Sequence, residues 1–454
     1  MKKKYVRWTL WTIASPFILF IILCILIYLP PIQNFLVDKA AVYASEATGM
    51  NISVGRISLS FPLNLVVTNV DAASPHNDTL LSVRRLQVNV QLLPLLKKQV
   101  EVDGISLQGA TVNSNDLIHG MKLNGTLGEL FISSHGVALD PETAIVNKVL
   151  LKDTDLSLCL NDTAAADTAA SDTTYWKIIL QDIDLQNVSF ALDMPLDSLS
   201  LAASLDNAIL RDGLIDLHKS AYSLQTFRIE NGRVRYDNGK PLAADSLPSG
   251  LDPSHIALTD IGVKLDSLYY GGRNMKAIIS QFVLKERSGV EIVSATGRMV
   301  SNDKVLRVPS LKLETRDSYL ELNAAMDWNA LDFKDEGLVS ARLMADIGKP
   351  DVVRFMGRMD EKFVRQYPSE PLRIRTGIDG DLNKLKLTTL TAELPGALGL
   401  FARGELTHLT DSLLRGGDIT LEAETKDLKF VSTLAEGIEI PYGTRLEGKF
   451  TMAG

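Results

Sequence analysis

The sequence predicts a mainly β protein: an antiparallel sheet with one apolar face, behind an N-terminal transmembrane helix. Three observations lead there. Residues Trp8 to Leu29 form one uncharged segment of 22 residues, preceded by Lys2, Lys3, Lys4 and Arg7, and about 20 apolar residues span a bilayer as a helix. From Asn51 onward apolar and polar residues alternate, which puts one row of side chains on each face of a strand. Helical spacing outside the first segment is confined to two short stretches, too few to suggest a helical domain.

Residues 1–29 read as a cytoplasmic tip and anchor. Basic residues flank only the N-terminal side, so the short tip stays in the cytoplasm and the body crosses. The expected location is a bacterial inner membrane, single-pass through residues 8–29, with the body in the periplasm. A cleaved signal would have a shorter apolar core and a small-x-small site, and Leu29-Pro30-Pro31-Ile32-Gln33 offers none. Cys24, deep in the apolar run behind bulky Leu23, is a poor site for lipid attachment. Residues 30–49 read as an amphipathic helix, with Ile32, Phe35, Leu36, Val42 and Tyr43 in helical spacing and Gly49 as its stop.

The alternation then defines a β region over 50–160 and a repetitive one over 175–349. Clear runs are Leu86 to Leu92, Val308 to Leu313, Tyr319 to Ala324, Leu385 to Leu387 and Asp418 to Ala423. Such strands belong to an antiparallel sheet wet on one side. An internal repeat sharpens this. Val102, Ile105, Leu107 and Val112 are spaced like Leu180, Ile183, Leu185 and Phe190, and like Leu224, Phe227, Ile229 and Val234; Val146, Val149, Leu151 and Leu156 match more loosely. Gly109, Asn187, Asn231 and Asp153 share the turn position, so each copy reads as strand, tight turn or bulge, strand, with a residue able to take positive φ.

Residues 161–174 hold no large apolar side chain and read as a flexible loop. Residues 350–368 read as a second amphipathic helix, carrying Val352, Val353, Phe355, Met356, Met359 and Phe363. Further strands fill 369–454, which stops inside an alternating pattern, so more strands are expected beyond it. At about 12 residues per strand and turn the body would hold roughly 35 strands, stacking to around 170 Å at about 4.8 Å each.

Composition narrows the chemistry. The net charge is −8, and setting aside the four basic residues of the tail leaves 43 Lys+Arg against 55 Asp+Glu, or −12. That argues against nucleic acid as a partner. The cysteines, Cys24 and Cys159, lie far apart and predict no disulfide. No phosphate-binding loop, nucleophile elbow, dinucleotide fingerprint or zinc-binding helix occurs, and the six histidines are scattered. No enzyme, metal or cofactor is expected. Asp-Ser/Thr followed by an apolar residue or Thr recurs, most densely at Thr163, Thr168 and Thr173. This resembles the O-glycosylation motif of Bacteroidota envelope proteins; the same pairs are also ordinary turn starters.

The stretch Ala47-Thr48-Gly49-Met50-Asn51-Ile52 to Phe61-Pro62, behind a membrane helix, resembles the opening of the AsmA-like and TamB-like envelope biogenesis families. So does Val83 to Val112, with Leu92-Leu93-Pro94-Leu95-Leu96, and residues 372–410, with Gly377, Gly380, Gly396 and Gly404 between short strands. The resemblance implies a long, strongly curved antiparallel sheet folded into a taco-like groove that conducts lipid between membranes. It carries no active site. Candidate groove residues are Leu107, Val112, Leu185, Phe190, Ile229, Val234, Leu311, Leu313, Leu320 and Leu322; periodicity alone leaves open which row faces inward. Expected partners are phospholipid or another acyl-chain lipid, the inner membrane, and an outer-membrane β-barrel. The alternative is a translocation and assembly module that chaperones outer-membrane proteins, where an exposed strand edge would accept an incoming strand.

Overall fold

A computed structural model describes residues 39–453, apart from 40, 44, 47, 61–63, 75–77, 92–101, 115–119, 140–141, 162–174, 240–249, 334–336, 358 and 435–440. The anchor segment 8–29, most of the first amphipathic helix and the threonines at 163, 168 and 173 lie outside these residues. Among the described residues no helix is long and apolar enough to cross a membrane. Those described between Lys39 and Thr48 are helical, and Gly49 follows at φ 70°.

The protein is mainly β, 71% strand and 9% helix, with its strands counted in one antiparallel sheet of 21. Single strands reach 19 residues, which is why 21 take the place of the expected 35. The chain divides into two compact units, residues 1–174 with 178–196, and residues 175–177 with 197–454.

Unit 1 is a meander of β1 (Asn51–Ser60), β2 (Asn64–Ala73), β3 (Thr79–Val90), β4 (Val102–Asn113), β5 (Met121–Leu139), β6 (Glu142–Leu160) and β7 (Lys177–Met194). Each strand from β1 to β5 pairs antiparallel with the next. Asn187 Nδ2 of β7 donates to Asp153 Oδ1 of β6 at 2.9 Å.

Unit 2 opens with β8 (Leu199–Asp216), β9 (Ala221–Leu224) and β10 (Thr226–Asn238). β9 and β10 are two parts of one interrupted strand: each pairs with β8 on one side and with β11 (His255–Gly271) on the other. The meander continues through β12 (Asn274–Glu286), β13 (Glu291–Ser301), β14 (Val305–Thr315) and β15 (Tyr319–Asp327) to a short α1 (Trp328–Leu331). Then come β16 (Leu338–Ile347), α2 (Lys349–Phe355), α3 (Glu361–Gln366), β17 (Leu372–Asp381), β18 (Lys384–Leu394), β19 (Leu398–Thr407), β20 (Gly416–Thr425) and β21 (Arg445–Ala453). Asx side chains close the tight turns. Asn302 Oδ1 accepts from the Lys304 and Val305 amides, and Asp381 Oδ1 from those of Asn383 and Lys384.

The single helix expected over 350–368 is two. Gly357 takes φ 75° just past the Met356 C-cap, ending α2. Asp360 then starts α3 by accepting the Lys362 amide at 2.7 Å.

The repeat's shared position is a break inside a strand, never a chain reversal. Gly109, Asp153, Asn187 and Asn231 have φ of 61°, 49°, 51° and 53°, and Asn69, Asp212 and Asp260 join them at 53°, 51° and 53°. In every case apolar residues, alanine included, stand four and two positions before and three after. Regular alternation would send the second and third of these to opposite faces. A left-handed residue breaks the alternation and lifts that requirement.

Candidate functional site

The candidate site is a set of apolar rows running across strands, since directly paired residues share a face. In unit 1, Leu107 lies in the row Ile57, Val67, Leu86, Leu107, Leu130, Leu151, one residue from each of β1 to β6. Beside it runs Leu59, Leu65, Val88, Ile105, Ile132, Val149. Val112 sits beyond the left-handed break, in the row Ile52, Ala72, Leu81, Val112, Gly125, Leu156. Leu185, half-buried, and Phe190, exposed, flank Asn187 in β7.

Unit 2 holds the longest row. It reads Ala208, Ile229, Val263, Phe282, Ala295, Leu313, Leu320, Ala345, Ile374, Ala392, Leu400, Ala423, Leu446, one residue from every strand except β9, each paired with the next. Ile229, Leu313 and Leu320 are thus brought into one line. Leu311 pairs with Leu322 in the adjacent row, two residues away along the same strands and on the same face. Val234 does not join them. Register shifts on both sides of Gly232 displace it, and its row, Ala203, Val234, Leu258, runs into Glu286.

The opposite face is polar. Ser340, Asp379, Lys386, Glu405, Asp418 and Thr451 form a row across β16 to β21. Ion pairs such as Lys384–Glu405 at 3.1 Å and Arg375–Asp346 at 2.8 Å dress it; being solvated, they contribute little to stability. A hydrogen bond from Lys285 to Asp260, at 2.8 Å, raises the lysine's pKa, and one to Glu321 raises that of Tyr319. The long apolar row contains no titratable group.

Little protein covers the apolar rows. In the long row Ala208, Ala295 and Ala345 are buried between bulkier neighbours, while Leu313, Leu320, Ile374 and Leu400 stay half-buried. Among the described residues of unit 2, two buried apolar clusters sit at strand ends. One gathers Phe363, Tyr367, Leu394, Ala397, Leu428 and Phe430; the other, Ala330, Val339 and Leu382. Among the described residues no group of His, Cys, Asp or Glu side chains is arranged to hold a metal ion.

No model of a protein family matches the chain, and no curated protein matches it at a significant level.

Proposed function

We propose that this chain is a non-enzymatic, inner-membrane-anchored periplasmic protein of the AsmA-like or TamB-like kind, conducting phospholipid along the apolar rows of its sheet toward the outer membrane. One observation carries the reading: the row through Leu313 and Leu320 crosses the strands of unit 2 unbroken by a polar residue, and its large side chains are only half-buried. An extended apolar face needs a cover. Each methylene moved from water to such a surface contributes about 0.8 kcal/mol, so acyl chains suit it while their headgroups stay in water.

The test is photo-crosslinking from positions 313 and 320 of the membrane-embedded full chain. Phospholipid adducts at both are expected. Polypeptide adducts instead would favour the translocation and assembly alternative, and no adduct of either kind would leave the conduit without support.

A further inference from the structure

The left-handed residues of unit 1 lie on one line across the sheet. Gly55 and Asn69 stand opposite each other between the pairs Val54–Val70 and Arg56–Thr68. Asn69 then faces Arg84, Arg84 faces Gly109, Gly109 faces Gly128 and Gly128 faces Asp153, each likewise between two bridged pairs. The 2.9 Å bond from Asn187 to Asp153 carries the line to β7.

The line is built pairwise. In each of the hairpins β1–β2, β3–β4 and β5–β6 one member of the opposed pair is glycine, and the other's side chain takes up the space beside it. A Cβ on Gly55 would stand 3.0 Å from that of Asn69, and one on Gly128 would stand 2.8 Å from that of Asp153. Carbon atoms pack comfortably only at about 3.5–4.0 Å. At Gly109 the long, flexible Arg84 side chain fills the gap.

The rows on the two sides of the line differ. Those through Leu107 and Ile105 carry large aliphatic side chains, and every one of these is half-buried. The first row on the other side is Val54, Val70, Val83, Ala110, Leu127, Thr154. Its side chains are smaller, and Val83, Ala110 and Thr154 are at most 8% exposed. The Thr154 hydroxyl donates to the Lys152 carbonyl at 3.1 Å, so its burial leaves it satisfied. Apolar surface already withdrawn from water gains little from a hydrocarbon guest, whereas a half-buried leucine still has area to cover.

We infer that this line is the edge of the working surface in unit 1. Acyl chains of a lipid lie on the rows through Leu107 and Ile105, and the row through Val83, Ala110 and Thr154 is closed packing that they do not reach. Val112, one row further on, then falls outside the lipid path. The boundary rests on the lipid-conduit reading; the paired construction of the line does not.

The boundary is tested with a photo-reactive residue placed singly at 107, 130, 70 and 112 of the membrane-embedded full chain, four positions that are natively half-buried. The vesicles are phosphatidylethanolamine and phosphatidylglycerol with labelled acyl chains, and position 320 of unit 2 is the reference. Capture at 107 and 130 several-fold above 70 and 112 is expected. Equal capture at all four, or capture at 320 alone, overturns the boundary and spares the conduit; no capture at any position removes the conduit reading beneath it. The construction of the line is tested by denaturant midpoints of Gly55→Ala and of the double variant Gly55→Ala/Asn69→Gly. The single change is expected to lower the midpoint and the second to restore part of it, because the added methyl meets the Asn69 side chain. A neutral single change, or no recovery in the double variant, would overturn the pairing.

Discussion

Unit 1 and the later strands of unit 2 build apolar rows by different means. Left-handed residues stand inside β2, β4, β6 and β7 of unit 1, at Asn69, Gly109, Asp153 and Asn187, and the apolar positions change parity at each. From β13 to β20 no residue other than glycine takes a left-handed φ within a strand; β15, β16, β19 and β20 alternate without a break, while β14 and β18 shift parity at bulges, between Val308 and Leu311 and between Leu387 and Leu390. An apolar face can thus be kept by strict period two or by interrupting the period where the apolar residues shift. The interrupted design depends on backbone conformation at single residues; the uninterrupted one depends on side-chain identity.

That contrast can be broken at several points. The largest effect is expected from a carboxylate at a candidate groove residue, as Leu313→Asp in unit 2 or Leu185→Asp in unit 1. A charge facing hydrocarbon costs several kcal/mol, so lipid capture should fall about tenfold or more while the protein still accumulates. Undiminished transport of lipid to the outer membrane would count against the groove. Next comes Gly109→Val, which forces a β-branched residue into φ 61° and should destabilise unit 1 by about 1–2 kcal/mol. Gly109→Asn, matching Asn69 and Asn187, should be close to neutral, and thermal melts of the two variants decide whether conformation or space sets the requirement. A smaller effect is expected from Ala345→Leu, at 2% exposure between Leu320 and Ile374. In a filled core, overpacking costs about 1–3 kcal/mol; above an open face the added methyls point into free space and denaturant midpoints should barely move.

The smallest concerns pH. Burial raises the Tyr367 hydroxyl above its usual pKa of 10.0. The folded state therefore favours the protonated phenol, a contribution present in full below the unfolded value and lost as pH rises through the folded one. The denaturant midpoint should feel this contribution only above about pH 10, and Tyr367→Phe should remove that part of the alkaline loss of stability.

Much of this was legible in the sequence. The runs at Val308, Tyr319 and Asp418 all fall in strands, and the repeat picked out four of the left-handed positions. It missed Asn69 and Asp260 because Pro62 and Pro253 stand where its first apolar residue was required, and Asp212 because alanine, at 208, fills its second apolar place. Gly357 carried a readable helix stop, masked by the apolar spacing on its two sides. Register was beyond reach, since alternation tells which residues share a face of one strand but never which residue of the next strand they meet. Hence Ile229, Leu313 and Leu320 were named without being known to lie in line, and Val234 was grouped with them. Asp351 gave no sign at all: an aspartate in the first turn of a helix looks like a solvated residue, and only the hydroxyls of Thr315 and Ser318, brought from another hairpin, make it a buried anchor.

The alanines of the long row have a mechanical meaning. Ala295, Ala345, Ala392 and Ala423 recur among leucine, isoleucine and phenylalanine, so the row is corrugated, with shallow dips between ridges and no polar side chain along it. A hydrocarbon laid across such relief grips everywhere a little and nowhere strongly. It could advance by one corrugation after another without ever having to leave a deep well.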